Sequence, residues 1–397
     1  MKKLALVIAI FLLLHAAGCQ TGTSGQYNYL PPERIDDGLD VGTPDEVNMN
    51  EKLIAKAANS IQGGRFKEVH AMLIFRHNKL VFEGYFEGHQ YQWDAPYHHG
   101  NPVNWKRDMP HSIMSATKSI TSACIGIAVD KGFIESVQQS IFDYLPQHRH
   151  LGTGGKEKIT IEHLLTMTSG LEWHEWSAPY SSQANDIVDL WLPSCRDPVA
   201  CVLEKPLVNK PGTSFTYSGG GTIVLGEILK NAAQMDIEEF SGKYLFEPLA
   251  IDSFNWDLKF ENGVIEAAGG LKITPRAMVK IGATFLNKGV WKGKQIISEP
   301  WVNKSATAFG DNHGINIPGE DSGRNGYSYS WWTKTFSKSG EKIHMYAASG
   351  WGGQHIMVLP ELNAVVVFTG GNYVTRRPPF KILRKYLIPA FGYSYRK

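Results

Sequence analysis

The stretch HSIMSATKSITSACIGIAVDKG, residues 111–132, is the segment from which the rest of the chain is best read. Ile120, Cys124, Ile127 and Ala128 recur at helical spacing, and Gly132 stands where a left-handed C-terminal cap falls. Ser115 and Lys118, three residues apart, share one face of this helix. Ser115 sits at or near its N-terminus, where unpaired N–H groups of the first turn can receive an oxyanion. Lysine works as a base only when its ammonium is disfavoured. Burial lowers a lysine pKa by up to about 3–5 units, and the positive end of the helix dipole acts in the same direction. A neutral Lys118 is then able to take the proton of Ser115, as in known serine–lysine pairs. Ser-x-x-Lys alone also describes a solvated lysine below a capping serine, so its meaning depends on the rest of the chain.

Upstream, Met1-Lys2-Lys3 and the apolar run Leu4 to Leu14 form a charged start and a short hydrophobic core. That pattern predicts a secretory signal, too short to span a bilayer comfortably. Ala16-Ala17-Gly18-Cys19 resembles a bacterial lipoprotein processing site, with alanine where leucine is usual. The expectation is a signal peptide over residues 1–18 and a lipidated N-terminus at Cys19. Gln20 is not the aspartate associated with inner-membrane retention, which points to the periplasmic side and an outer-membrane anchor. The alternative is an ordinary signal peptide cut near Gly18. Residues 19–45, rich in Gly, Thr, Pro and Asp without an apolar period, are expected to form a flexible tether. The full chain has 40 basic and 38 acidic residues, and loss of Lys2 and Lys3 balances them. Neutrality argues against nucleic acid or another polyanion as partner.

Residues 46–397 carry neither a linker-like stretch nor a repeat, so one large domain is expected. Leu53, Ala57 and Ile61 predict a helix ending at Gly63-Gly64. Val69 to Phe75 and Leu80 to Phe86, joined by Arg76-His77-Asn78-Lys79, predict a β-hairpin. Residues 136–265 read as a helical insertion without convincing paired strands. Tyr327 to Thr335, Lys342 to Ala348, His355 to Leu359 and Ala364 to Thr369 read as successive strands, and Lys381 to Leu387 as a closing helix. The fold class is therefore α/β (α+β). Residues 46–135 and 266–397 build one antiparallel sheet from both chain ends, flanked by helices, with 136–265 as a mainly helical subdomain.

Cys195 and Cys201 are able to close a short disulfide loop in an oxidising compartment, while Cys124 reads as a core residue. No Cys-x-x-Cys or paired-histidine spacing suggests a structural metal. His174-Glu175 lacks the second histidine of a zinc-protease helix, and the His98-His99 and His148/His150 clusters read as surface loops.

Further along, Pro211-Gly212-Thr213-Ser214-Phe215-Thr216-Tyr217-Ser218-Gly219-Gly220-Gly221 is a turn leading into a loop with one tyrosine. With Ser115-Ala116-Thr117-Lys118, it resembles the serine β-lactamase and penicillin-binding-protein family, in its class C and esterase branch. Leu164 to Leu171, Ala267-Ala268-Gly269-Gly270-Leu271 with Thr274, and Gly289-Val290-Trp291 followed by Gly293 to Ile297 match as well. The resemblance spans roughly residues 50–370 and implies a β-lactamase-like fold.

The resemblance implies that Ser115 is the acylated nucleophile, Lys118 its partner, and Tyr217 a base or proton shuttle. Lys118 and Tyr217 would titrate as a coupled pair, and the sequence does not say which holds the proton. The family's third motif, Lys-Thr-Gly or His-Thr-Gly, is matched by Ala348-Ser349-Gly350, followed by Trp351. The Trp351 N–H is expected to pair with that of Ser115 as an oxyanion hole. Ser349, Gly350 and Gly219 are expected to meet substrate, and Trp173 and Trp176 to line an apolar slot, unless they simply pack the helical part. The motif cation is missing, and Gly219 replaces the asparagine common in β-lactam-processing members. Both departures favour an exported serine hydrolase acting on a small-molecule ester or linear amide, as family esterases and 6-aminohexanoate-dimer hydrolases do. It would need no metal or organic cofactor. The alternatives are a β-lactamase or D-amino-acid peptidase acting on cell-wall substrates and, in another class, a non-catalytic recognition protein.

Overall fold

Val69–Arg76 and Lys79–Tyr85 form the expected hairpin in a computed structural model that describes residues 27–338 and 341–393. Its two turn residues, His77 and Asn78, both have positive φ, 47° and 60°, and lead strand into strand with the right-handed twist of a hairpin. The expected signal peptide and the lipidation site Cys19 lie outside the described residues.

This hairpin edges an eight-stranded antiparallel sheet. From the far edge inward the order is Ile315–Asn316, Arg324–Ser328, Trp331–Lys338, Glu341–Gly350, Gln354–Leu359, Ala364–Gly370, then Val69–Arg76 and Lys79–Tyr85. Ala364–Gly370 pairs with Val69–Arg76, so a strand from near each chain end meets inside the sheet. Leu73 and Phe75 face one apolar layer, with Ile120, Met278 and Val367. Met72 and Ile74 face the other, with Ile54, Ala57, Phe368 and Leu383. Alternate side chains of a strand point to opposite faces, so the sheet is buried on both. The helix Glu51–Gln62 and the C-terminal helical run from Pro379 to Ala390 cover one face; Thr117–Asp130 and Pro275–Leu286 cover the other.

Three expectations change. The run Tyr327 to Thr335 is two strands, split by a turn at Tyr329 and Ser330 with φ of 41° and 64°. Neither is a residue type that usually takes positive φ. Tertiary contacts hold the turn instead: Tyr329 packs on Trp301, and Ser330 accepts from Ser119 Oγ at 2.6 Å.

Within residues 136–265, Phe254–Trp256 pairs with Leu271–Ile273, which pairs with His111–Ser112. Strands of two or three residues are too short for a periodic signal. A second hairpin, Glu87–Tyr91 with His99–Asn104, was also not legible.

The segment expected to be a tether is attached from residue 27 onward. Tyr29 OH donates to Val81 O at 2.8 Å, Val41 bridges to Leu80, and Leu39 is buried. Arg276, buried, binds Glu83, Asp37 and the carbonyl of Glu33, fastening this segment to the sheet. Among the described residues no helix is long and apolar enough to cross a membrane.

Candidate active site

Ser115 lies on a single tight turn, Met114–Ala116, that runs directly into the helix Thr117–Asp130. Met114, just before it, has φ 48°, the left-handed region that side chains rarely adopt. Such strain persists only where the surroundings fix it. Here Ile113 N–H donates to Leu271 O at 3.1 Å, Thr121 Oγ1 donates to Ala267 O at 2.7 Å, and Leu271 N–H reaches Thr117 Oγ1 at 3.4 Å. The polar residues of the motif helix thus bind it to the 267–271 segment. Gly132, with φ 75°, follows its end as the left-handed cap.

Lys118, only 3% exposed, places Nζ 3.1 Å from Ser115 Oγ and donates to Ala268 O at 3.1 Å. Burial pushes its pKa down, while Glu175 and Glu266 pull it back up. Tyr217 is buried beside it, its ring centroid 5.0 Å from Nζ. Its ring stacks on Trp176 at 4.6 Å and lies parallel to Trp332 at 6.0 Å. Burial and the charge of Glu175 raise the phenol well above its ordinary value, and the Ser115 hydroxyl opposes them. The two shifts run in opposite directions, toward a neutral amine and a protonated phenol, which suits a base and a proton relay.

Ser115 and Tyr217 open on a cavity of about 460 Å³ whose wall includes Trp176, Tyr180, Trp332, Ser349, Gly350 and Trp351. Gly350 ends its strand against the turn that carries Ser115. A Cβ there would lie 2.2 Å from Ile113 O and 3.1 Å from Ala116 N, so only glycine lets this strand and turn approach so closely. Trp351 is fixed by its Nε1–H, which donates to Tyr373 O at 2.6 Å.

Two residues expected at the substrate are elsewhere. Trp173 is buried in the main core, its Nε1–H donating to Glu175 Oε2 at 2.9 Å, with its ring against Gly220. Gly219 starts the helix Gly219–Ala233 and donates its N–H to Glu175 Oε2 at 2.6 Å. A side chain there would meet Ile187 at 2.8 Å and Glu175 at 3.1 Å. The glutamate occupies the space that an asparagine at this position would need.

Sequence reasoning missed Glu175, which lines the cavity and also accepts from Tyr180 OH at 3.0 Å. It missed Glu266, buried and held by the Ala268 N–H at 3.1 Å. It also missed Arg377, a cation in the cavity wall that bonds to Glu320 at 2.9 Å. Burial raises Glu320 to about 6 against the pull of Arg377. His355, fully buried beside Ser349 Oγ at 3.1 Å, is pushed down to about 3 and stays neutral. None of these has a local motif; only the folding of residues 320, 355 and 377 to one place reveals them.

Cys195 and Cys201 are joined in a disulfide, and Cys124 is buried and free. Of the histidines expected in surface loops, His148 is buried against Asp197, and His99 lies half-buried on a strand beside Glu68. Each finds an acidic partner distant in sequence.

Comparison with known proteins fits this arrangement. The 6-aminohexanoate-dimer hydrolase of Paenarthrobacter ureafaciens is 25% identical over 267 residues, 66% of this chain and 66% of that protein. The monacolin J acid methylbutanoyltransferase of Aspergillus terreus is 27% identical over 168 residues, 38% of this chain and 39% of that one. The chain thus spans less than two thirds of the length of these curated relatives. Among solved structures, the octameric penicillin-binding protein homologue of Pyrococcus abyssi superposes with a TM-score of 0.62 at 20% identity, covering 86% of this chain and 77% of that one. A family VIII carboxylesterase superposes with a TM-score of 0.62 at 14% identity, covering 85% and 96%. These two share the fold. Residues 68–381, most of the chain and including Ser115, Lys118 and Tyr217, match the family described as Beta-lactamase, and to that family the chain belongs.

Proposed function

We propose that this protein is an exported serine hydrolase that cleaves a small ester or linear amide through an acyl-enzyme on Ser115. The observation that carries the proposal is the buried Lys118 Nζ, 3.1 Å from Ser115 Oγ, with Tyr217 beside it on an aromatic cavity. Ser115 Oγ bonds to the acyl carbon as its proton passes to Lys118. The N–H groups of Ser115 and Trp351 face the tetrahedral oxyanion. The proton then moves through Tyr217 to the leaving oxygen or nitrogen, and that bond to the acyl carbon breaks. Water attacks the acyl-enzyme, and the proton it yields returns to Ser115.

The ester or amide class is supported by the hydrolase and acyltransferase among the relatives, and by the aromatic wall of Trp176, Tyr180, Trp332 and Trp351. An exported location is supported by the Met1–Lys3 leader and by the Cys195–Cys201 disulfide, a bond of oxidising compartments. A membrane anchor at Cys19 would be read by fatty-acid labelling, and an unlabelled mature protein would remove it. One observation favours a second reading. Arg377 restores a cation to the cavity wall, as recognition of a carboxylate in a β-lactam or D-peptide would require.

The test is turnover of p-nitrophenyl butyrate, a 6-aminohexanoate dimer and nitrocefin by the purified protein, with Ser115→Ala as control. Ester or amide hydrolysis lost in the variant is the expected result. Rapid nitrocefin cleavage would move the β-lactamase reading to first place. Fluorophosphonate labelling of Ser115 with no turnover of any of the three substrates would leave a binding protein.

A further inference from the structure

We propose that Glu68, His89 and His99 form a binding site for one divalent cation of the zinc type, outside the catalytic cavity. Each of the three offers one ligand atom, and these atoms lie within 4.8 Å of one another. His89 Nδ1 is 2.8 Å from Glu68 Oε1, and His99 Nε2 is 3.9 Å from Glu68 Oε2. Ligands at the usual ~2.0–2.2 Å from a tetrahedral zinc stand roughly 3.3–3.6 Å from each other, so small side-chain rotations suffice. Two imidazoles and a carboxylate suit a borderline first-row cation better than calcium or magnesium, which prefer all-oxygen sets.

The surroundings are built for this cluster. His89 and His99 stand on the two strands of the hairpin Glu87–Tyr91 and His99–Asn104, with their rings stacked at 4.6 Å. Glu68 reaches them from the start of the main sheet with φ 55°, a left-handed conformation its surroundings must hold. Its carbonyl accepts from Gly371 N–H at 2.9 Å, fixing the backbone from which the carboxylate projects. Gly88 and Gly371 leave the space: a Cβ on either would fall 3.2 Å or 2.8 Å from Glu68 Oε2. His70, fully buried, bonds to the same oxygen at 3.0 Å, as outer partners of ligating carboxylates do. The three side chains remain 38%, 23% and 16% exposed, so an ion can enter.

Without a metal, protons do the joining: one lies between His89 and Glu68, and His99 Nε2–H donates to Gly371 O at 2.8 Å. The cation would take the place of those protons and release them. It would clip the hairpin to the sheet. Tyr91 and His98 of that hairpin pack on Trp351 at 6.1 and 4.9 Å, so the clip would also steady the cavity wall.

Metal-free full-length protein titrated with zinc(II) in a calorimeter tests this directly. One saturable site per chain is expected, with a rise in thermal midpoint on zinc addition. Binding should weaken at least about 10-fold in Glu68→Gln and in the His89→Ala/His99→Ala double variant. A cooperative thermal unfolding transition and a wild-type circular dichroism spectrum of the metal-free variants would show that they are folded. Absence of saturable binding by the wild type up to about 100 µM zinc would overturn the proposal without reference to any variant. Equal affinity in a folded double variant would also overturn it, leaving a cluster held by protons alone.

Discussion

Burial drives Lys118 toward the neutral amine, and the carboxyl groups of Glu175 and Glu266 act against it. Only the neutral amine can take the Ser115 proton, so the working form is gained as pH rises through the lowered pKa. The pH profile of kcat/KM should therefore show an ascending limb centred below the free-lysine value of 10.5. Lys118→Arg, which cannot deprotonate, should lower kcat/KM by about 10²–10⁴-fold and abolish that limb. A surviving limb would assign it to another group. A second residue-scale prediction separates the two tryptophans. Trp173→Ala should cost about 3–5 kcal/mol of stability in denaturant unfolding, because it empties a core site. Trp176→Ala should instead change KM and acyl-chain preference, since that ring lines the cavity and stacks on Tyr217. Composition around residues 173–180 could not tell one ring from the other, because both are tryptophans in one loop and only packing distinguishes them.

At the scale of elements, the site is a meeting of a strained turn, a strand end and a buried helix. The strand Glu341–Gly350 touches the Ser115 turn at Gly350, where a Cβ would lie 2.2 Å from Ile113 O. Gly350→Ala must push strand and turn apart. Because a misplacement of about 1 Å at a catalytic group can cost ~10²-fold, kcat/KM should fall by about that factor, with slower fluorophosphonate labelling of Ser115. Unchanged labelling would mean that the turn and strand can separate without harm. The helix from Thr117 and the hairpin at residues 69–85 were legible because each is long enough to show its period and each ends in a turn or cap residue. The split at Tyr329 and the strand Phe254–Trp256 were not, because their conformations are imposed by distant partners.

Over the whole molecule, the sheet joins residues about 300 apart in sequence, through the pairing of Val69–Arg76 with Ala364–Gly370. Arg276 makes a similar long-range junction, binding Asp37 and the carbonyl of Glu33 from the N-terminal segment and Glu83 from the hairpin. Arg276→Met would leave the buried Glu83 carboxylate without its cation, and chemical unfolding should show a loss of about 3–5 kcal/mol. A loss within about 0.5 kcal/mol would show that the attachment contributes little.

The sequence by itself determined the helix Thr117–Asp130 that carries Lys118, the antiparallel sheet drawn from both ends, and the family. Local period, caps and short motifs act over a few residues and can be read there. Tertiary structure alone decided that Glu175 fills the space beside Gly219, and that Trp173 leaves the cavity to Trp176. It alone brought Arg377 and Glu320 into the cavity wall and gathered Glu68, His89 and His99. Those are encounters between segments far apart along the chain, made by burial of apolar surface whose final geometry no short stretch encodes.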